Sequence, residues 1–107
     1  MKKEIIIDPR AEKEIKDFPR EVKVEIHRLV RILRDGGVLT EPEGRKLIGH
    51  NNLFEIRVRY KGQWRVVYAY YLEKFIILLT AFQKKTQKTP TQIIKKAFNR
   101  LKLYSSK

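Results

Sequence analysis

The segment from Phe75 to Phe82 is an almost wholly apolar run of residues with a high β propensity, and it is bounded by charged segments. Strands read as continuous apolar runs when both of their faces are covered. The run therefore predicts the central strand of a sheet. The rest of the chain must then supply the neighbouring strands and the layers that cover the sheet.

Two alternating segments precede this run and predict the neighbouring strands. Residues 53–60 and 64–70 place apolar side chains at every second position, which is the period of a strand with one buried face. A turn of odd length at residues 61–63, or a single bulge, would pair Arg59 with Arg65 and Val58 with Val66. This register puts the apolar residues on one core face and Arg57, Arg59 and Arg65 on an exposed face. A two-residue turn would instead bury charge among aromatic residues, and a buried face selects against such a register.

Helical spacing marks the segments on either side of these strands. The first strand, Glu4–Ile7, is followed by Asp8 as an N-cap and a helix to Phe18. A second helix is predicted from Arg20 to Asp35, ended by Gly36 and Gly37. A third begins with Thr89 as N-cap, Pro90 at the first helical position and Gln92 at the third. The order β-α-α-β-β-β-α predicts an α+β fold over residues 1–107, with a helical hairpin and a C-terminal helix packed on a small antiparallel sheet.

The charge of the chain lies in its second half. The net charge is +13, yet residues 1–44 are neutral overall, residues 45–73 carry +4 and residues 74–107 carry +9 without a carboxylate side chain. This asymmetry favours a polyanion partner, and nucleic acid above a membrane surface, because the basic residues alternate with strand residues instead of forming a tail. A solvated basic face is the alternative without a binding function.

Composition also limits the chemistry and the location. The chain has no cysteine and two histidines, His27 and His50, so neither a thiolate metal site nor a histidine-based zinc site is expected, and no cofactor is predicted. No apolar run reaches the length of a membrane span, and residues 1–9 lack the apolar core of a signal peptide. We therefore expect a cytoplasmic protein without a membrane partner.

Three segments together resemble one known family. Leu53–Arg57, Trp64–Ala69 and Ile77–Pro90, the last ending in the letters FQKKTQKTP, are similar to the strand motifs and the basic loop of the HigB-type branch of the RelE/ParE toxin superfamily. Gly44–Leu47 also resembles the K-x-L segment that precedes the first of these strands. The resemblance covers residues 44–101 and is most specific in the basic loop.

The resemblance implies the toxin of a type II toxin–antitoxin module. HigB and RelE relatives are metal-independent endoribonucleases that cut mRNA on the ribosome, and their antitoxin partner is usually a small helix-turn-helix protein. ParE relatives inhibit gyrase with the same fold, so the fold alone leaves a ParE-like gyrase inhibitor open. A non-catalytic basic RNA-binding module is the third alternative, because the pattern offers no evident general acid or base.

The resemblance also implies where the site lies. Basic catalytic residues of RelE-like toxins correspond to Arg57, Arg65 and Lys84, with Lys85 as an equal candidate for the last place. Glu55 would act as a base or pair with Arg57 or Arg59. The remaining basic residues are expected to contact RNA phosphates, which position RNA without reading its sequence: Lys46, Arg59, Lys88, Lys95 and Lys96. Lys95 and Lys96 have two alternatives, a solvated helix face or a docking surface for an acidic antitoxin segment.

Overall fold

The computed structural model describes residues 2–47, 49–50 and 52–105. Five strands and three helices lie in this part of the chain. In chain order they are β1 (Glu4–Ile7), α1 (Pro9–Lys16), α2 (Arg20–Gly36), β2 (Gly44–Lys46), β3 (Phe54–Arg59), β4 (Gln63–Tyr71), β5 (Phe75–Lys84) and α3 (Thr91–Ser105).

The strands form a single sheet in the order β1-β5-β4-β3-β2. The predicted α+β fold is confirmed, and β5 lies inside the sheet between β1 and β4, although β4 is the middle strand. The sheet is mixed rather than wholly antiparallel, because β1 runs parallel to β5. Strands β3, β4 and β5 follow one another through tight turns and must be antiparallel, whereas β1 reaches β5 only through the rest of the chain. The short β2 adds an edge strand next to β3.

The start of the first helix and the end of the second follow the predicted signals, whereas α1 ends at Lys16, two residues before the predicted Phe18. Asp8 caps α1, accepting a hydrogen bond of 2.9 Å from the Arg10 amide to Oδ1. Gly37 ends α2 with φ of 84°, a left-handed conformation that glycine adopts without steric penalty, and its N–H donates to Leu33 O. Both boundaries are therefore set by local backbone chemistry.

Each face of the sheet packs against its own layer. One face, which includes Ile56, Val66 and Leu78, packs on Val22, Ile26, Leu29 and Leu33 of α2. The other face, which includes Val67, Ile77 and Leu79, packs on α3. The predicted division of β3 and β4 into an apolar face and an arginine-bearing face is confirmed. The α3 helix covers part of the second face, and the arginines lie on the rest of it.

The predicted pairing of β3 with β4 is wrong by two residues. Arg57 pairs with Arg65 and Val58 with Trp64, and the ladder continues to Arg59 and Gln63. A turn of three residues joins the strands, with φ of 47° at Lys61 and 140° at Gly62. Alternation with period two fixes which side chains share a face, but it does not distinguish registers that differ by two. The tight turn selects the register with the longer ladder.

The start of α3 also differs from the expectation. The helix begins at Thr91, and Pro90 O accepts the first hydrogen bonds, from the amides of Ile93 at 3.0 Å and Ile94 at 3.3 Å. Thr89, predicted as the N-cap, lies one residue too early. Its hydroxyl donates instead to Glu55 Oε2 at 3.2 Å, so it joins α3 to β3.

Candidate functional site

Arg57 and Arg65 lie directly opposite each other on neighbouring strands. The Arg57 amide donates outward to Glu43 O at 2.9 Å, so the two arginines form a non-hydrogen-bonded pair, in which side chains approach most closely. Like charges at such positions destabilise a sheet. The pair therefore needs a nearby anion.

Glu55 supplies an anion within the protein. Its side chain is buried, and Oε1 lies 3.5 Å from Nε of Arg65 and 3.9 Å from Nε of Arg57. Neither contact has the geometry of a hydrogen bond, and both Nε atoms are buried without a hydrogen-bond partner in the described part of the chain. One carboxylate thus faces two arginines and accepts a hydrogen bond from neither.

Arg65 is buried, which corrects the expectation that it lies on an exposed face. Only 3% of the residue is accessible. Its Nη1 donates to Trp64 O at 3.1 Å and its Nη2 to Gln63 Oε1 at 3.0 Å, while Arg57 and Phe82 flank it on β3 and β5. Burial disfavours the charged form and lowers the pKa of Arg65, although Glu55 opposes this shift. Arg57 is more accessible, with 22% of its side chain exposed.

Lys84 is the third cation of this group. It lies near the end of β5 and lines a cleft of about 490 Å³ together with Glu55. Burial lowers its pKa, the charges of Arg65, Arg57 and Arg45 lower it further, and Glu55 opposes the shift. Its Nζ donates no hydrogen bond to any residue that the structure describes. We refer to Glu55, Arg57, Arg65 and Lys84 as the cationic cluster.

Two depressions open on the cationic cluster. The cleft that holds Lys84 is also lined by Lys46, Lys88 and His50. A second depression of about 560 Å³ is lined by Arg57, Arg59 and Arg65, with acidic residues of α2 along its far side. Glu55 lines the first depression, and its carboxylate faces two arginines that line the second, so one residue connects the two.

The structure thus brings together six of the nine predicted site residues. The residues that line the two depressions are Lys46, Arg57, Arg59, Arg65, Lys84 and Lys88. Lys85 is exposed just beyond β5 and lines neither depression. Lys95 and Lys96 line a separate shallow groove on α3, where Lys96 Nζ lies 3.5 Å from Glu14 Oε2. These three side chains are placed away from the cluster.

Two features of the site were missed by sequence reasoning. The first is the pairing of Glu55 with Arg65, since only Arg57 and Arg59 were considered as its partners. Glu55 and Arg65 lie on the same face of the predicted sheet, and this was the available signal. The predicted register, wrong by two residues, placed them too far apart to pair. The second is the hydrogen bond from Thr89 to Glu55, for which the sequence carries no signal because Thr89 fits a capping position equally well.

Groups suited to proton transfer are few around the cleft. His50 lines it, and its ring lies 6.1 Å from that of Phe98. Tyr104, in the C-terminal helix, donates its hydroxyl to Asp8 Oδ2 at 2.9 Å and is therefore engaged elsewhere. Within residues 2–47, 49–50 and 52–105 no group of three or more acidic, histidine or cysteine side chains could hold a metal ion. None of the helices in that part of the chain has the length and apolar composition needed to cross a membrane.

Solved structures with this fold are toxins of RelBE systems. An arginine-to-alanine double mutant of E. coli RelE in the free state is 23% identical, with a TM-score of 0.67 over 94% of this chain and 98% of that one. A similar RelE mutant bound to a peptide of the antitoxin RelB is 26% identical, with a TM-score of 0.56 over 91% and 95%. The RelBE2 complex of Mycobacterium tuberculosis is 14% identical, with a TM-score of 0.57 over 78% and 93%.

Sequence comparison identifies the family. No curated protein matches the chain. Residues 13–102 match the model of the phage-derived Gp49-like proteins, DUF891. With most of its length covered by that model, and with the fold of the RelE toxins, the chain belongs to the phage-derived Gp49-like family.

Proposed function

We propose that the chain is the toxin of a type II toxin–antitoxin module and acts as a ribosome-dependent mRNA endonuclease of the HigB type. One observation carries the proposal: a single buried carboxylate, that of Glu55, lies beside two arginines and lines the same cleft as Lys84. A fold needs no such excess of charge at a partly buried position. A polyanion bound there would balance it.

The proposed cleavage depends on positive charge around the scissile phosphate and is independent of a metal ion. In our proposal the 2′-hydroxyl of the RNA loses its proton to water and attacks the adjacent phosphorus. Negative charge develops on the phosphorane, and a 2′,3′-cyclic phosphate forms as the bond to the 5′-oxygen breaks. Arg57, the more accessible arginine, binds the phosphate oxygens, and Arg65 adds positive charge from beneath it. Preorganised cations in a site that excludes water stabilise such a transition state more strongly than in bulk water.

Lys84 is proposed to assist the departure of the 5′-oxygen. A lysine with its usual pKa is a weak acid at neutral pH, whereas burial and the neighbouring arginines lower the pKa of Lys84. A lower pKa makes the ammonium a better proton donor. Lys85 is the alternative for this role, and its exposed position beyond β5 makes it the natural control.

Five lysines and arginines remain as proposed RNA contacts. Lys46, Arg59 and Lys88 line the depressions next to the cluster and would hold phosphates on either side of the scissile one. Lys95 and Lys96 lie on a separate groove, so their contacts would be to a more distant part of the RNA or to an antitoxin. The proposed partners are mRNA on the ribosome and a cognate antitoxin with a helix-turn-helix domain, both in the cytoplasm.

Controlled expression without an antitoxin tests this proposal. Growth arrest accompanied by new mRNA 5′ ends inside translated frames, mapped by primer extension, is the expected result. Lys84→Ala and Arg57→Ala should abolish both, whereas Lys102→Ala, on the exposed face of α3, should abolish neither. Growth arrest without new 5′ ends would favour a ParE-like gyrase inhibitor. RNA binding by the purified protein without cleavage would favour the non-catalytic RNA-binding module.

A further inference from the structure

Glu55 contacts both arginines of the cationic cluster and the segment that precedes α3. The residue is 2% exposed. Its Oε1 faces the guanidinium groups of Arg57 and Arg65, its Oε2 accepts the hydroxyl hydrogen bond of Thr89, and it lines the cleft beside Lys84. No other carboxylate in the described part of the chain lies within 4.0 Å of both arginines.

The two arginines depend on this carboxylate for their arrangement. They are direct cross-strand neighbours, so their charges repel each other at the closest separation that a sheet allows. The Nη groups of Arg65 are held by Trp64 O and Gln63, but the Nε atoms of both arginines have only Glu55 near them. Without its charge, the two guanidinium groups would move apart.

Thr89 extends this effect to the wall of the cleft. It precedes α3 and follows the basic loop that carries Lys88, and its hydroxyl is bound to Glu55. The same carboxylate therefore contacts the arginines on β3 and β4 and also the segment before α3, which lines the cleft.

We propose that Glu55 is a positioning residue that aligns Arg57 and Arg65 for an RNA phosphate and, through its own negative charge, weakens the binding of that RNA. This inference rests on the proposed nuclease function. It predicts opposite effects of removing the charge: alignment is lost, while electrostatic attraction of the RNA increases.

The test compares Glu55→Gln with Glu41→Gln. Glu41 is a matched control, because its Oε1 lies 3.4 Å from Nη1 of Arg57 but its side chain is 59% exposed. Cleavage of an mRNA on purified, programmed ribosomes gives kcat and KM for each protein. Nuclear magnetic resonance of the arginine Nε–H groups reports, without RNA, whether Arg57 and Arg65 are ordered and protected from exchange.

Glu55→Gln should lower kcat on the order of tenfold to a hundredfold, as expected for misplaced reacting groups, and should also lower KM. Protection of the Arg57 and Arg65 Nε–H groups should be lost in this variant. Glu41→Gln should leave kcat and the protection of Arg65 unchanged. Should Glu55→Gln fail to fold, Glu55→Asp serves instead, since it keeps the charge and moves it away from the arginines; it should lower kcat without lowering KM.

Two results separate the inference from the proposed function. Unchanged Nε–H protection in the Glu55 variant would overturn the positioning role, whether or not the protein cuts RNA. Lost protection in a protein whose wild type never cuts RNA would support the positioning role and contradict the nuclease function. A drop in kcat of the same size in Glu41→Gln would assign the effect to general charge and would also overturn the inference.

Discussion

Two groups of charged residues in this protein differ in how their charges are paired. The first, which we call the helix anchor, consists of Asp8, Arg10, Glu14, Arg100 and Tyr104. In it, Arg100 donates to both oxygens of Glu14 at 3.0 Å, and Arg10 donates to both oxygens of Asp8 at 2.9 and 2.7 Å. Each of the two carboxylates accepts hydrogen bonds on both of its oxygens from one arginine, and Lys96 Nζ also lies 3.5 Å from Glu14 Oε2.

The cationic cluster is the opposite case. Glu55 faces Arg57 and Arg65 at 3.9 and 3.5 Å without a hydrogen bond, and Lys84 stands beside them. One buried carboxylate faces these cations, and the only other carboxylate in contact with them in the described part of the chain is the exposed Glu41, at 3.4 Å from Arg57. Opposed charges that are fully hydrogen-bonded are typical of a structural contact, whereas unbalanced charges with unused donors are typical of a site that awaits a ligand.

The two groups therefore have different expected roles. The helix anchor fixes α3 to α1 and β5, since Glu14 also accepts from Thr80 Oγ1 and the Ala81 amide, at 2.9 and 3.0 Å. The cationic cluster leaves its charge available to a partner. Damage to the anchor should lower stability and leave RNA binding intact, whereas damage to the cluster should remove activity.

Arg65→Ala should have the largest effect, because Arg65 is both buried and charged. Cleavage should fall by about 100-fold to 1,000-fold, the usual loss for one transition-state donor. Removing one member of a buried ion pair also costs about 3–5 kcal/mol, and we expect the lower end because Glu55 retains Arg57. Urea unfolding and ribosome-programmed cleavage measure the two effects. Full stability in this variant would contradict the burial of Arg65.

Arg100→Ala should reduce stability without reducing RNA binding. The change leaves Glu14 without its main partner, and we expect a loss of about 3 kcal/mol, at the lower end for a buried pair because Glu14 is still partly exposed. Urea unfolding measures this loss, and filter binding of a short RNA serves as the second measurement. A loss of RNA affinity in folded protein would mean that the anchor and the cluster are not separate.

Acid should weaken the helix anchor. Hydrogen bonds from Arg10 chiefly lower the pKa of Asp8 to about 2, against an opposing effect of burial. For Glu14, burial raises the pKa, but hydrogen bonds from Arg100, Ala81 and Thr80 outweigh it and the net shift is downward. A carboxylate whose pKa is lower in the folded than in the unfolded protein stabilises the fold. This stabilisation is complete above the unfolded-state pKa and is lost as the pH falls through the folded-state pKa.

We therefore expect the free energy of unfolding to fall between about pH 5 and pH 2. Asp8→Asn should make this part of the curve shallower, because one of the two carboxylates no longer titrates. Urea unfolding at several pH values measures the slope. An unchanged slope in Asp8→Asn would show that the anchor does not depend on that charge.

The smallest effects should come from single phosphate contacts. Lys46→Ala and Lys88→Ala should each weaken RNA binding and reduce the slope of log K against log salt by about 0.7, the value for one contact to a single strand. Lys95→Ala should change the slope less, because Lys95 lies on a separate groove. Equal slopes for all three variants would mean that the RNA path is not confined to the two depressions.

Much of the fold could be predicted because its signals are local. The apolar run of β5, the alternation in β3 and β4, and the caps at Asp8 and Gly37 each depend on neighbouring residues. The pairing of Arg57 with Arg65 could not be predicted, since a shift of two residues keeps every side chain on its face. The parallel pairing of β1 with β5 joins segments that are distant in the sequence, and no local signal specifies it.

For the candidate site, the sequence indicated which residue types would take part but not whether each would be buried or exposed. Arg57, Arg65 and Lys84 stay predicted site residues. An arginine in an alternating pattern is interpreted as exposed, but Arg65 is buried. The helix anchor was missed entirely. Its hydrogen bonds join Arg100 to Glu14 and Tyr104 to Asp8, residues that are 86 and 96 positions apart, so only the folded chain brings them together.

The central claim is that the cationic cluster cleaves RNA through the 2′-hydroxyl next to the scissile phosphate. The most direct test places purified protein on ribosomes programmed with one of two mRNAs, identical except for a single 2′-deoxy substitution at the mapped cleavage position. We predict cleavage of the all-ribose message and none of the substituted one, with Arg57→Ala inactive on both. Cleavage of both messages, or of neither, would contradict the claim.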